Sequence, residues 1–270
     1  MDFPNLKSKC EYYRSLTDYK LLPNSYVLVM LDGRAFSKMV KNKFDKPFDA
    51  QFIHAMNETT RYLCENLQGC KFGYCQSDEI SLVISDIGDE DKNTSSFFGY
   101  RLCKIQSICA SMATAKFNQM MMLRRLDSIP DCASSGNVMS MCIDSVNTAP
   151  LYEFDCKAWV VPNVNDAYAW FLYRQLDCIK NSKQQFCQTY MPHKKLLSLH
   201  TDAQVELTMK ETGNNWNDIN NGWKYGRFCT KVQREMSNEY GTFTRNIWEC
   251  PNADQLTDPV IKNWFIEKIS

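Results

Sequence analysis

Two acidic stretches are placed to do chemistry. Asp32, with Gly33 and Arg34 behind it, ends an unbroken apolar run from Tyr26 to Leu31, and Ser77, Asp78 and Glu79 join two further strand-like runs, KFGYCQ and EISLVIS. A strand that apolar is covered on both faces, so the acid at its end either turns the chain or points into a cleft. One reading is an aspartate turn in which Gly33 supplies an unusual backbone angle. The other is a metal-ligating carboxylate. If Asp32 and Asp78 meet, they repel unless they share divalent cations, and oxygen donors in a chain with only three histidines (His54, His193, His200) suit Mg2+. In a two-metal site one ion lowers the pKa of an attacking hydroxyl while the other steadies the leaving phosphate oxygens. Gly33 lets a triphosphate approach the backbone and offers its carbonyl as a further ligand. Glu79 sits on the opposite face of its strand from Asp78 and reads as a salt-bridge or hydrogen-bonding partner.

The elements that must bring the two aspartates together follow from hydrophobic periodicity. After the strand at 26–31, a helix over about 49–67 places Phe52, Ile53, Met56, Leu63 and Leu67 at helical spacing. The two short strands follow, the second alternating Ile80, Leu82 and Ile84 on one face. A second helix over about 95–117 aligns Phe98, Leu102, Ile105, Cys109 and Met112. LRRLDSIPDCASSGNV, residues 123–138, reads as a loop-like insertion; YEFDCKAWVVP is a fourth strand, and a third helix covers about 164–189. The expected fold class is therefore α+β: a ferredoxin-like βαββαβ palm over 1–162, with an extension of helices and strands over 163–270 packed on it as one compact unit. A right-handed crossover makes the first two strands parallel with the third antiparallel between them, which puts Asp32 and Asp78 at one edge of the sheet. Beyond a strand at GRFCTKV, the aromatic C-terminal stretch has no clear assignment.

Composition narrows the class without naming a partner. A chain of 270 residues, 44% hydrophobic and 13% aromatic, has ample material for a folded core. Thirty-one basic and 31 acidic residues cancel, so any surface for nucleic acid is local. The 13 cysteines contain no CxxC pair and read as reduced, mostly buried thiols rather than a zinc site. No stretch resembles a signal peptide or a membrane span, so the expectation is a cytoplasmic protein without a membrane partner.

The blocks DGRAFSKMVKNKFDKPFD and YCQSDEISLVIS resemble the signature of the tRNA-histidine guanylyltransferase family and its 3′-to-5′ nucleotide polymerase relatives. FDCKAWVVP, RQLDC and GNNWNDINNGWKYGRF extend the resemblance from residue 26 to about 230. It implies a polymerase-type palm with catalytic Asp32 and Asp78, and two Mg2+ ions held by Asp32, the Gly33 carbonyl and Asp78. It also implies nucleotide contacts from Gly33, Arg34, Ala35, Phe36, Lys46, Asp49, Ser77, Arg101 and Lys104. Arg101 and Lys104, three apart on one helix, would present two cations to a second triphosphate; a solvated helix face is their plain alternative. Where family members acting on tRNA-histidine follow RQxDC with His-Ile-Asn-Asn, this chain has Ile179, Lys180, Asn181 and Ser182, and the family's FDGR is Phe154, Asp155, Cys156 and Lys157. Arg174, Asp177 and Asn181 still share a polar helical face and, with Lys157 and Lys180, are candidate RNA or nucleotide contacts. These departures point to the branch that repairs the 5′ end of truncated tRNA by templated 3′-to-5′ addition, after activation of the 5′ end with ATP or GTP. Addition of one G to tRNA-histidine, a catalytically idle RNA-binding palm and a cyclase of free nucleotides are the alternatives. The implied partners are tRNA, nucleoside triphosphates and further copies of the chain, tetramers being known among relatives.

Overall fold

The structure is a computed structural model that describes residues 5–36, 44–87, 97–127, 135–239 and 241–270. After α1 (Leu6–Ser15), the elements β1 (Tyr26–Gly33), α2 (Ala50–Asn66), β2 (Cys70–Gln76), β3 (Glu79–Ile84), α3 (Leu102–Asp127) and β4 (Phe154–Val161) follow in the expected βαββαβ order, with α4 (Ser135–Asn147) in the last crossover. The chain continues through α5 (Val164–Tyr190), α6 (His193–Leu196), α7 (Thr201–Thr212), α8 (Asn221–Tyr225), β5 (Arg227–Asn238), β6 (Gly241–Glu249) and α9 (Pro259–Ile269). One six-stranded sheet runs in the order β4-β1-β3-β2-β5-β6. Each neighbouring pair is antiparallel, so β1 and β2 are parallel with β3 between them, as the crossover rule requires. Among the described residues, no helix is long and apolar enough to cross a membrane.

The unbroken apolar character of β1 has its cause in two covered faces. Val27, Val29 and Leu31 join Ile80, Leu82 and Ile84 against Met56 and Leu63 of α2 and Ile105, Cys109 and Phe117 of α3. Tyr26 and Leu28 join Phe72, Tyr74 and Val83 against Phe171 of α5 and Phe265 and Ile269 of α9. Each such side chain taken fully from water contributes about 1.5–3 kcal/mol. A third cluster, Phe186, Cys187, Met191, Leu196 and Trp216, closes around the C-terminal part of α5. The described cysteines are free thiols, several of them buried.

Two expectations about the elements need correction. The supposed insertion at 123–138 is largely helical where it is described: α3 runs on to Asp127 and α4 starts at Ser135, while 128–134 lie outside the described residues. Arg124 and Arg125 explain the extension, since cations in a helix's last turn complement its dipole. At its other end α3 starts at Leu102 rather than near 95, because Phe98 and Gly99 take left-handed angles (φ 50° and 58°) that no α-helix accommodates; residues 95 and 96 are outside the described set. Phe98 is accordingly exposed rather than part of the buried stripe. The C-terminal stretch that had no assignment supplies β6 and α9, and β5 joins the sheet beside β2.

Candidate active site

Asp32 and Asp78 are brought together by register. Asp32 pairs with Glu79 across β1 and β3, and the Gly33 amide donates to the Asp78 carbonyl at 3.1 Å, so both acids sit where β1 ends beside the β2–β3 turn. Ser77 makes that turn tight with φ 47°, and its hydroxyl donates to Asp78 Oδ1 at 3.1 Å. On the other side of β1, Asp155 of β4 stands directly opposite Asp32, a third carboxylate that the sequence reading did not single out. Like charges facing each other across a ladder are unfavourable. Burial, and then Asp155, raise the pKa of Asp32 against the opposing pull of Lys157 and Arg174. Burial, and then Asp32, raise that of Asp78.

Glu79 occupies the role expected of it. Arg174 of α5 grips it bidentately, Nε to Oε1 at 2.6 Å and Nη2 to Oε2, and also reaches Asp177 Oδ2 at 3.1 Å. Burial raises the Glu79 pKa and Arg174 opposes it; burial lowers that of Arg174, and the Glu79 bonds outweigh this. Arg174 is therefore a buried brace behind the aspartates rather than a cation on an open RNA-facing surface. Asn181 donates to Asp177 at 3.1 Å, while Lys157 and Lys180 are exposed. Ile179 packs on the third apolar cluster, and Ser182 is buried with its hydroxyl accepting from Trp216 Nε1 at 3.0 Å.

A cavity of about 330 Å³ opens at Ser77 and Asp78. Its walls come from the 44–49 segment, the first turn of α2, the middle of α5 and α8. Asp49 lines it but is already committed: it caps α2 through Phe52, accepts from the Asp45 amide at 3.0 Å and meets Arg124 at 3.3 Å. Lys46 is exposed beside it. Arg34 is exposed and paired with Glu153 at 2.6 Å, Ala35 has φ 56°, and Phe36 is buried among Phe52, Phe117, Tyr152 and Phe154. Residues 37–43 of the same motif lie outside the described residues.

Arg101 and Lys104 are not brought to this edge. Arg101 precedes α3 and pairs with Asp18 at 2.7 Å, and the neighbouring Tyr100 hydroxyl bonds to Asp86, beyond the far end of β3. β1 spans that separation, about 20 Å at about 3.3 Å per residue. Expecting them at one helix face was sound for Lys104 alone, since Arg101 stands before the helix begins.

The donor set fits a hard divalent cation. Among the described residues there is no cluster of three or more side chains able to hold a metal by themselves. Two repelling carboxylates beside a backbone carbonyl nevertheless match Mg2+, which keeps waters and takes substrate phosphate oxygens for its remaining positions.

The chain matches the family model described as tRNAHis guanylyltransferase over residues 8–162. Over 98% of its length it superposes on 99% of a bacterial tRNAHis guanylyltransferase-like protein in complex with ATP, with TM-score 0.79 and 30% identity. A bacterial protein of the same description in complex with GTP gives TM-score 0.73 and 27% identity over 98% of both chains. The tRNAHis guanylyltransferase of Neurospora crassa is 29% identical over 65% of this chain and 53% of its own length, so this chain spans about half of that relative. The matched segment carries β1, the β2–β3 turn and β4, with all three carboxylates of the site, and the chain belongs to the tRNAHis guanylyltransferase family of nucleotidyltransferases.

Proposed function

We propose that the protein extends the 5′ end of truncated tRNA in the 3′-to-5′ direction, using the opposite strand as template. The observation that carries the reading is the meeting of Asp32 and Asp78 at the mouth of a nucleoside-sized cavity. Asp32, Asp78 and the Gly33 carbonyl would hold Mg2+, two ions in the full site. Bound there, the metal lowers the pKa of an attacking 3′-hydroxyl and neutralises charge on the phosphates. The protein's own part is positioning. Arg174 fixes Glu79 and favours ionised Asp32, the strained turn at Ser77 aims Asp78, and the apolar walls hold a nucleotide and exclude water. A 5′-monophosphate would first attack the α-phosphate of ATP or GTP and displace pyrophosphate, and the 3′-hydroxyl of the incoming nucleotide would then attack the activated 5′-phosphate, losing its proton and displacing the nucleoside monophosphate. Arg101 and Lys104, about 20 Å along the sheet, would meet a triphosphate only at a neighbouring copy's site. That geometry accords with a homo-oligomer.

Templated repair is favoured over a single added G by Ile179 and Ser182. Both positions of the altered motif serve the core, leaving the choice of nucleotide to base pairing. Addition of one G to tRNA-histidine is the second reading, favoured by the family description. The test is to incubate the purified chain with Mg2+, each nucleoside triphosphate and 5′-monophosphorylated tRNAs lacking one to three 5′ nucleotides, and to measure product length. Extension should stop at a complete acceptor stem, and changing the template base should change the inserted base. G added whatever base stands opposite would refute templating and leave the second reading.

A further inference from the structure

Arg227, the first residue of β5, is an unusual place to keep a charge. It is 4% exposed, and it donates hydrogen bonds to Asn57 Oδ1 from Nε (2.9 Å), to the Gly222 carbonyl from Nη1 (2.9 Å) and to Cys75 Sγ from Nη2 (3.5 Å). None of these partners carries a formal negative charge, and among the described residues no carboxylate forms an ion pair with it. A guanidinium has five N–H donors, so two are left over. Taking such a group from water without an anion or a full set of acceptors is costly. Arg227 also lines the cavity that opens at Asp78.

The cavity shows what could satisfy it. Phe48 and Trp223 stack at 5.0 Å and 24° on its wall, and Phe44, Phe52 and Ile53 continue the apolar lining. An aromatic wall of this kind favours a flat heteroaromatic ring over a phosphate. Arg227 pairs in register with Cys75, three residues before Asp78 of the β2–β3 turn, and both Arg227 and Asp78 line the cavity, an arrangement that suits a base at one end and its phosphates at the other. Two N–H donors of one guanidinium match the N7 and O6 acceptors of guanine, whereas adenine turns its N6 amino donor toward the same fork.

We infer that Arg227 reads guanine, so that the cavity beside Asp78 selects GTP over ATP. The inference rests on the nucleotide reading of the site given above. Base pairing chooses the incoming nucleotide in a templated reaction, so a base-reading slot belongs to the nucleotide that activates the 5′ end.

The test is equilibrium dialysis of the whole chain with Mg2+ and no RNA, against GTP, inosine triphosphate, 7-deaza-GTP, ATP and inorganic tripolyphosphate. GTP and inosine triphosphate should bind about ten- to a hundredfold tighter than ATP, with 7-deaza-GTP weakened because it lacks N7. Arg227→Lys and Arg227→Met should erase that preference and leave tripolyphosphate binding unchanged. The analogue series needs no variant, so an unfolded Arg227→Met protein would not remove the test. Equal binding of ATP and GTP, or of GTP and 7-deaza-GTP, overturns the guanine assignment alone, as does equal weakening of tripolyphosphate and GTP by Arg227→Met. Failure of every nucleotide to bind overturns the nucleotide reading of the site as well.

Discussion

Replacing Arg174 by Met isolates the electrostatics behind the aspartates. Arg174 and Glu79 are 9% and 5% exposed, so the variant strands a carboxylate in a site already holding Asp32. Breaking a buried, hydrogen-bonded ion pair from one side costs about 3–5 kcal/mol, whereas replacing both partners by neutral groups costs little. At about 2–4 °C per kcal/mol for a chain of this size, Arg174→Met should lower the Tm by roughly 10 °C, and the double variant Arg174→Met/Glu79→Gln should recover most of it. The loss should depend on pH with a defined sign. An unpaired, buried Glu79 has a folded-state pKa above its unfolded value, so the native state releases its proton later. Stability of the variant therefore falls as pH rises through the window above the ordinary glutamate value, and the gap to the parent protein should be smallest near pH 5. Thermal melts in Mg2+-free buffer between pH 5 and 8 measure this. Arg174 also lowers the Asp32 pKa, so the acidic limb of the rate–pH profile should move to higher pH in the variant. The charge argument fails if the single and double variants melt together. Lost packing on Tyr173 and Trp170, whose rings lie 5.1 and 5.8 Å from the guanidinium carbon, would then account for the whole effect.

Asp32→Ala or Asp78→Ala should cut nucleotide addition at least about a hundredfold, since two-metal chemistry has no substitute base here; rates near the parent's would sink the ligand assignment. Asp78→Asn should raise the Tm in Mg2+-free buffer at pH 8, because the Asp78 pKa is raised in the folded state and its ionised form opposes folding above the ordinary aspartate range. That gain should vanish toward pH 4, and a Tm below the parent's at pH 8 contradicts it. Gly226→Ala should cost about 1–3 kcal/mol or more, since φ is +80° and an added Cβ would meet the Tyr74 hydroxyl at 2.6 Å and the Cys75 carbonyl at 2.8 Å; an unchanged melt would refute the strain.

The palm was legible because its signals are local. An apolar run, two amphipathic helices and a period-two strand each specify their own element, and chain topology then places Asp32 beside Asp78 without any long-range information. What could not be read was pairing that depends on distant partners. Asp155 becomes a neighbour of Asp32 only through the β4–β1 register, although its place in an altered family motif was a signal that could have marked it. Arg101 and Lys104 resemble a cation pair in sequence, but a left-handed turn at Phe98 and Gly99 ends the helical periodicity and leaves Arg101 bonded to Asp18. In the C-terminal third, Arg227 reads as one polar residue in a strand. Only the pairing of β5 with β2 shows it buried beside Cys75.

The altered motif on α5 shows why a missing functional residue is not the same as a vacant position. Counting by helical spacing puts Arg174, Asp177 and Asn181 along one polar line, and the structure links them by side-chain bonds that end on Glu79, so that line braces the catalytic edge. Ile179 and Ser182 lie off it and have turned to the third apolar cluster, where the Ser182 hydroxyl accepts the hydrogen bond of the buried Trp216 indole. Restoring a histidine at 179 or an asparagine at 182 would therefore have to displace packing before it could contact RNA. A change at Ser182 that removed the hydroxyl would also leave that indole unsatisfied, at about 1–3 kcal/mol. Packing therefore opposes a histidine at 179 and an asparagine at 182, which is the physical argument behind the templated reading proposed above.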